Sequence, residues 1–236
     1  MDLQNQYNYR KLHATLLLMM LLLFAVVYNR RLISAYIYPQ PVAKDNTPNA
    51  RRAALAWNRV RADSAINLVR DGDLVLRSGS DAISALFRKM NTKDKSYSHA
   101  GIIFIENGYP FVYNCIGSAS DPHALLKRDS LKVYIDPYNN LGYAIYRYHL
   151  SASQIERLHG TVIQYFKERR TFDPYFDLHT DSSLYCTEFV YKAMIATTGN
   201  KKYFSTTRAT NFNFVSVDNL FLRKDIRLVC KIGYIQ

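Results

Sequence analysis

Ser98 to Gly117, "SHAGIIFIENGYPFVYNCIG", constrains the fold more than any other stretch of the chain. Ser98 to Ile105 is a continuous apolar run of strand length, with no polar side to give to water. Asn107-Gly108 follows, a pair that accepts positive φ and so favours a tight hairpin turn. A second apolar run then leads back. The two runs therefore form a hairpin, the start of a mostly antiparallel sheet. At 236 residues and 48% hydrophobic, the chain can bury a core without staples.

Further elements complete the pattern. "GDLVLRSG", Gly72 to Gly79, reads as a short strand between glycines, and "YAIYRYHL" and "IRLVCKIGYI" read as two more. Helical spacing runs through "RRAALAWNRVRADSAINLVR". "SDAISALFRKM" opens on a Ser/Asp cap and "SASQIERLHGTVIQYFKERR" on a serine cap, and Leu184 to Thr198 is closed by Gly199. The expected class is α+β, a mostly antiparallel sheet packed on helices.

The first residues differ in kind. Leu12 to Tyr28 is almost wholly apolar, with Arg10 and Lys11 before it and Arg30 and Arg31 after it. It has the length and flanks of a membrane-spanning helix and lacks a small-x-small cleavage site directly after the run. Residues 1–31 are therefore read as an uncleaved membrane anchor and 32–50 as a proline-containing linker. Residues 51–236 are the folded domain. The flanking charges lean slightly toward a cytoplasmic domain.

Net charge is +12, spread along the chain. No nucleic-acid-binding module accompanies it, so no nucleic-acid partner is expected. The three cysteines, Cys115, Cys186 and Cys230, are odd in number and widely spaced. That argues against a disulfide framework and against a four-ligand zinc site. There is no HExxH, P-loop or GxGxxG, and no metal or other cofactor is expected.

Cys186 falls in the first turn of the last long helix, with Ser182 or Ser183 as the natural cap. It shares a face with Phe189, Val190 and Ala193. It is either a small buried apolar residue or a thiol activated by the helix N-terminus, where the dipole favours thiolate. A nucleophilic thiol needs a base. His99 opens a buried strand, where a histidine is either satisfied by backbone or poised for chemistry. Asn114, on the adjacent strand, could hold the His99 ring or bond the backbone. Cys115, its neighbour, should point to the opposite face, away from the site.

In order along the chain, "GDLVLRSG", "YSHAGIIF", "YNCIG", "PYFDL" and "LYCTEFVYKA" resemble the permuted papain-like cysteine hydrolases of the YiiX/YaeF group, relatives of the NlpC-type peptidases. Histidine before cysteine is the mark of the permuted branch, an order shared by lecithin retinol acyltransferase-like proteins. The resemblance implies Cys186 as nucleophile, His99 as general base and then acid, and Asn114 in a third position where an acidic residue is usual. It implies Tyr97, Tyr175 and Asp177 beside the substrate, and an oxyanion hole at the helix N-terminus. The expected activity is that of a membrane-anchored amidase or peptidase working through a thioester, on cell-wall peptides. The alternatives are a lipid acyltransferase or hydrolase and a catalytically silent binding module. The resemblance also outweighs the flank charges and places the domain on the extracytoplasmic side, in the cell envelope.

Overall fold

A computed structural model describes residues 48–118, 121–209 and 212–235. The anchor at 1–31 and most of the linker lie outside the described residues. Among the described residues no helix is long and apolar enough to cross a membrane.

A six-stranded sheet is the centre of the domain. Its strands are β1 (Leu74–Gly79), β2 (His99–Glu106), β3 (Tyr109–Asn114), β4 (Lys127–Ser130), β5 (Asn140–Tyr148) and β10 (Ile226–Gly233). They lie in the order β10-β5-β1-β2-β3-β4, and every neighbouring pair is antiparallel. The β2–β3 hairpin turns at Asn107 and Gly108, with φ of 51° and 81°, as the Asn-Gly pair predicts.

Helices cover both faces, which is why the β2 run has no polar side. On one face, Leu74, Leu76, Ala100, Ile102, Tyr113 and Cys115 share a core with residues of α4 (Ala152–Lys167) and α5 (Cys186–Thr198). On the other, Val75, Ile103, Val112 and Ile145 pack with residues of α1 (Pro48–Asp63) and the short α3 (Leu131–Tyr134). The remaining helices are α2 (Ala82–Met90), between β1 and β2, and α6 (Val217–Phe221), before the last strand. Two short pairs complete the chain, parallel β6 (Thr171–Phe172) with β7 (Ser183–Leu184), and antiparallel β8 (Thr207–Arg208) with β9 (Asn213–Phe214).

Three boundaries differ from expectation. Helix α1 begins at Pro48, within the stretch read as linker. Proline suits a first helical turn, where its missing N–H has no partner to lose. The helical stretch from Arg51 to Arg70 stops at Asp63 and continues only as a 3₁₀ turn, Ile66–Leu68. The last long helix starts at Cys186 rather than Leu184, because Ser183 and Leu184 pair with β6. Tyr185 takes the N-cap place expected of Ser182 or Ser183.

Gly101 lies two residues after His99, where β2 and β3 approach closely. A Cβ there would lie 2.5 Å from Val112 Cγ1 and 2.9 Å from the Tyr113 carbonyl oxygen. Gly101→Ala is therefore expected to force the hairpin apart and cost about 1–3 kcal/mol. Urea unfolding of the two proteins measures it, and an unchanged midpoint would refute it.

Candidate active site

Cys186 is the first residue of α5. The chain enters the helix extended, with Tyr185 at φ −90° and ψ 167°. The Tyr185 N–H donates to the Glu188 carboxylate at 3.2 Å, and the Tyr185 hydroxyl accepts from the Val215 N–H at 2.8 Å. The Thr187 hydroxyl donates to the Val215 carbonyl at 2.5 Å. The segment after β9 is thus tied across the first turn of α5, and the thiol is held beneath it. Glu188 is fully buried and pairs with Lys192, one turn on, at 3.0 Å. Burial pushes its carboxyl up to about 7 against the opposing pull of Lys192.

His99 is the first residue of β2 and is buried. Its Nε2 lies 2.9 Å from the hydroxyl of Ser84 on α2, a residue with no exposed surface. The Phe87 ring stands nearly perpendicular to the imidazole, with ring centres 5.9 Å apart. Nδ1 is buried and has no hydrogen-bond partner. Burial lowers the imidazole pKa well below its usual value, aided by the charges of Arg77 and Arg88 and opposed by Asp81. The ring is therefore neutral at neutral pH.

Cys186 and His99 line one cavity of about 30 Å³. The thiol is also raised. Burial is the largest cause, and it outweighs the Ala100 N–H, the charge of Arg77 and the N–H groups of Thr187 and Cys186 itself. The helix N-terminus does favour thiolate, as expected from its position, but desolvation wins in this enclosed place. At rest the cavity is lined by a neutral thiol and a neutral imidazole. The N–H groups of the first helical turn have no intrahelical acceptors, and those of Thr187 and Cys186 act on the thiol.

The structure redistributes the other expected site residues. Asn114 does not hold His99. Its amide donates to the Asp129 carboxylate at 2.9 Å and more weakly to the Val112 carbonyl at 3.5 Å. Asn114, the last residue of β3, pairs with Lys127 of β4, and Asp129 also comes from β4. Cys115, expected to face away, lines the cavity with Cys186. Strand alternation holds, but α5 covers the Cys115 face. Tyr97 is buried in the core, ring to ring with Phe221 at 5.5 Å, and is not part of the cavity lining. Tyr175 is 83% exposed and also outside the lining. Asp177 is a loop organiser: its N–H donates to Asp173 at 2.7 Å and its carboxylate accepts from the His179 N–H at 3.0 Å. The member of "PYFDL" that reaches the cavity is Phe176, held at φ 58° and stacked 4.7 Å from Tyr185.

Two features went unread in the sequence. Ser84 and Asp81 were visible only as a helix start, since nothing local reveals which side chain meets a distant histidine. The segment Phe214–Val217 borders the cavity without any motif of its own.

A histidine on a central strand, followed later in the chain by a helix opening on a cysteine, with both residues at one cavity, is the permuted papain-like arrangement. The profile of the permuted papain-like amidase enzymes, the YaeF/YiiX or C92 peptidase family, matches residues 68–220, more than half of the chain, and the chain belongs to that family. Among solved structures, it is similar to YiiX from Escherichia coli O157:H7, described as a metalloprotein. The TM-score is 0.58 and the identity 20%, over 70% of this chain and 98% of that one. No curated protein sequence matches.

Proposed function

We propose that this chain is a cysteine amidase or peptidase that works through a thioester on Cys186 and is held at a membrane by residues 1–31. The observation that carries the reading is the shared cavity: Cys186 and His99 both line it, and His99 Nδ1 has no hydrogen-bond partner. The Cys186 proton passes to His99 Nδ1 as sulfur bonds to the substrate carbonyl carbon. The carbonyl electrons move onto oxygen, which the N–H groups at the start of α5 receive. When the carbonyl reforms, the C–N bond breaks and His99 returns the proton to the leaving amine. Water then attacks the thioester, giving its proton to His99. The carboxylic acid leaves and the proton returns to sulfur.

The described residues include no group of three or more His, Cys, Asp or Glu side chains placed to hold a metal ion. A second reading has its own support. Besides Cys186 and His99, the cavity is walled by Phe87, Met90, Phe172, Phe176, Phe214 and Val217. A lining so apolar suits a fatty acyl group, and an enzyme tethered to a membrane meets lipids. Incubation with muropeptides and with phospholipids separates the two. New amino groups from muropeptides support the amidase reading, and released fatty acid supports the lipid reading. Neither product, with no adduct on Cys186, would overturn both in favour of a silent binding module. An extracytoplasmic domain is part of the proposal, and protection from protease added to intact cells would refute it.

A further inference from the structure

We propose that Ser84 and Asp81 are the positioning residues of the Cys186–His99 pair, a serine-carboxylate relay that takes the place expected of Asn114. The inference rests on the cysteine-hydrolase reading above and adds which groups set the histidine's tautomer.

The geometry forms one chain. His99 Nε2 lies 2.9 Å from Ser84 Oγ, and Ser84 Oγ lies 2.6 Å from Asp81 Oδ2. The second carboxylate oxygen, Oδ1, accepts the Ser84 N–H at 2.8 Å, which makes Asp81 the N-cap of α2. Gly79 leaves the space for this. A Cβ at that position would fall 2.1 Å from Ser84 Oγ. Relay, cap and glycine are thus parts of one local structure, placed where β1 passes into α2.

Proton counting then fixes the tautomer. Burial alone would raise the Asp81 carboxyl, but the hydrogen bonds from the Ser84 hydroxyl and N–H hold it below its usual value. Ionised Asp81 can only accept. A serine hydroxyl has one proton, and the 2.6 Å contact commits it to Asp81. Ser84 Oγ must therefore accept from His99, so the single proton of the neutral imidazole sits on Nε2. Nδ1 carries the lone pair, and Nδ1 is the buried atom without a partner. The relay thus leaves the basic nitrogen free for the thiol. The charged groups acting on the ring are Arg77 from β1, Asp81 at the N-cap of α2 and Arg88 from α2, and Cys186 lines the same cavity.

Asp81→Asn makes the decisive variant. The cap still needs an acceptor for the Ser84 N–H, so the amide oxygen takes the Oδ1 place and the NH₂ faces Ser84 Oγ. The amide then donates to serine, the serine hydroxyl turns to donate to Nε2, and the imidazole proton moves to Nδ1. A wrong tautomer disables a base without removing it. The test uses the full-length chain in detergent, with ¹⁵N-labelled histidine, and p-nitrophenyl acetate as the acylating probe. The ring nitrogens of His99 are read by NMR, and acetylation of Cys186 by mass spectrometry. The wild type is expected to carry its proton on Nε2 and Asp81→Asn on Nδ1, with acetylation slowed about 100-fold in the variant. Ser84→Ala is expected to show mixed tautomers and about tenfold slower acetylation. A wild-type proton on Nδ1, or an Asp81→Asn protein with unchanged tautomer and rate, overturns the relay while leaving the Cys–His pair standing. If His99→Ala itself acetylates at the wild-type rate, the Cys–His reading fails, and the catalytic role of the relay falls with it.

Discussion

Cys186→Ala is expected to lose acyl transfer altogether, by about 10⁴-fold or more, while the domain remains folded. Among the residues lining the cavity, Cys186 is the thiol at a helix N-terminus. Cys115 shares the cavity, but burial pushes its thiol far up, and it leans on the Thr171 carbonyl at 3.5 Å. It has no helix N-terminus behind it. The packing loss is small because alanine removes one sulfur from a site that already borders open space. The check is a mass spectrum of protein exposed to p-nitrophenyl acetate: a single acetyl group on Cys186 in the wild type and none on cysteine in the variant. Acetylation of Cys115 at a comparable rate would show that this placement does not select the nucleophile.

His99→Ala has the second-largest expected effect, about 10²- to 10⁴-fold in acylation. Its signature lies in the pH dependence. Both partners are neutral at rest, so the wild-type reaction needs proton transfer in the transition state rather than a preformed thiolate. Acylation should hold on the acid side to below pH 6.5 and fail only when the buried imidazole protonates. Without His99 the rate should simply climb with pH toward the raised ionisation of the thiol. Stability carries the same information. The folded state holds the imidazole pKa below its unfolded value, so the unfolded chain binds more protons below about pH 6.5. The stability owed to the neutral ring is present above that pH and is lost as pH falls toward the folded pKa. Denaturation midpoints across pH 4–7 should therefore slope less in His99→Ala than in the wild type. Identical slopes would contradict the burial argument.

Much of this protein is legible along the chain because it depends on neighbours in sequence. Asn107 and Gly108 adopt their turn because of their own φ preferences. Ser151 and Gln154 close a capping box at the start of α4, and Gly199 ends α5 in the left-handed region. The apolar run of β2 reads as a strand from its length and composition alone. Cys186 at a helix start and His99 at a strand start follow from the same local rules.

What decides the site is not local. Alternation along β3 says that Asn114 and Cys115 point to opposite faces. It cannot say which face a helix some seventy residues later will cover. The packing of α5 against Ala100, Ile102 and Tyr113 settles that, turning Cys115 into the cavity and leaving Asn114 to Asp129. In the same way, "SDAIS" reads as an ordinary helix cap. Only the seating of α2 against the start of β2 brings the Ser84 hydroxyl to the His99 ring. Tyr97, two residues before His99, goes into the core because the hydrophobic effect rewards burial of a large ring wherever the sheet offers room. Hydrogen bonds and apolar contacts between distant segments are chosen by the packed whole, and those contacts determine which of the candidate residues face the thiol.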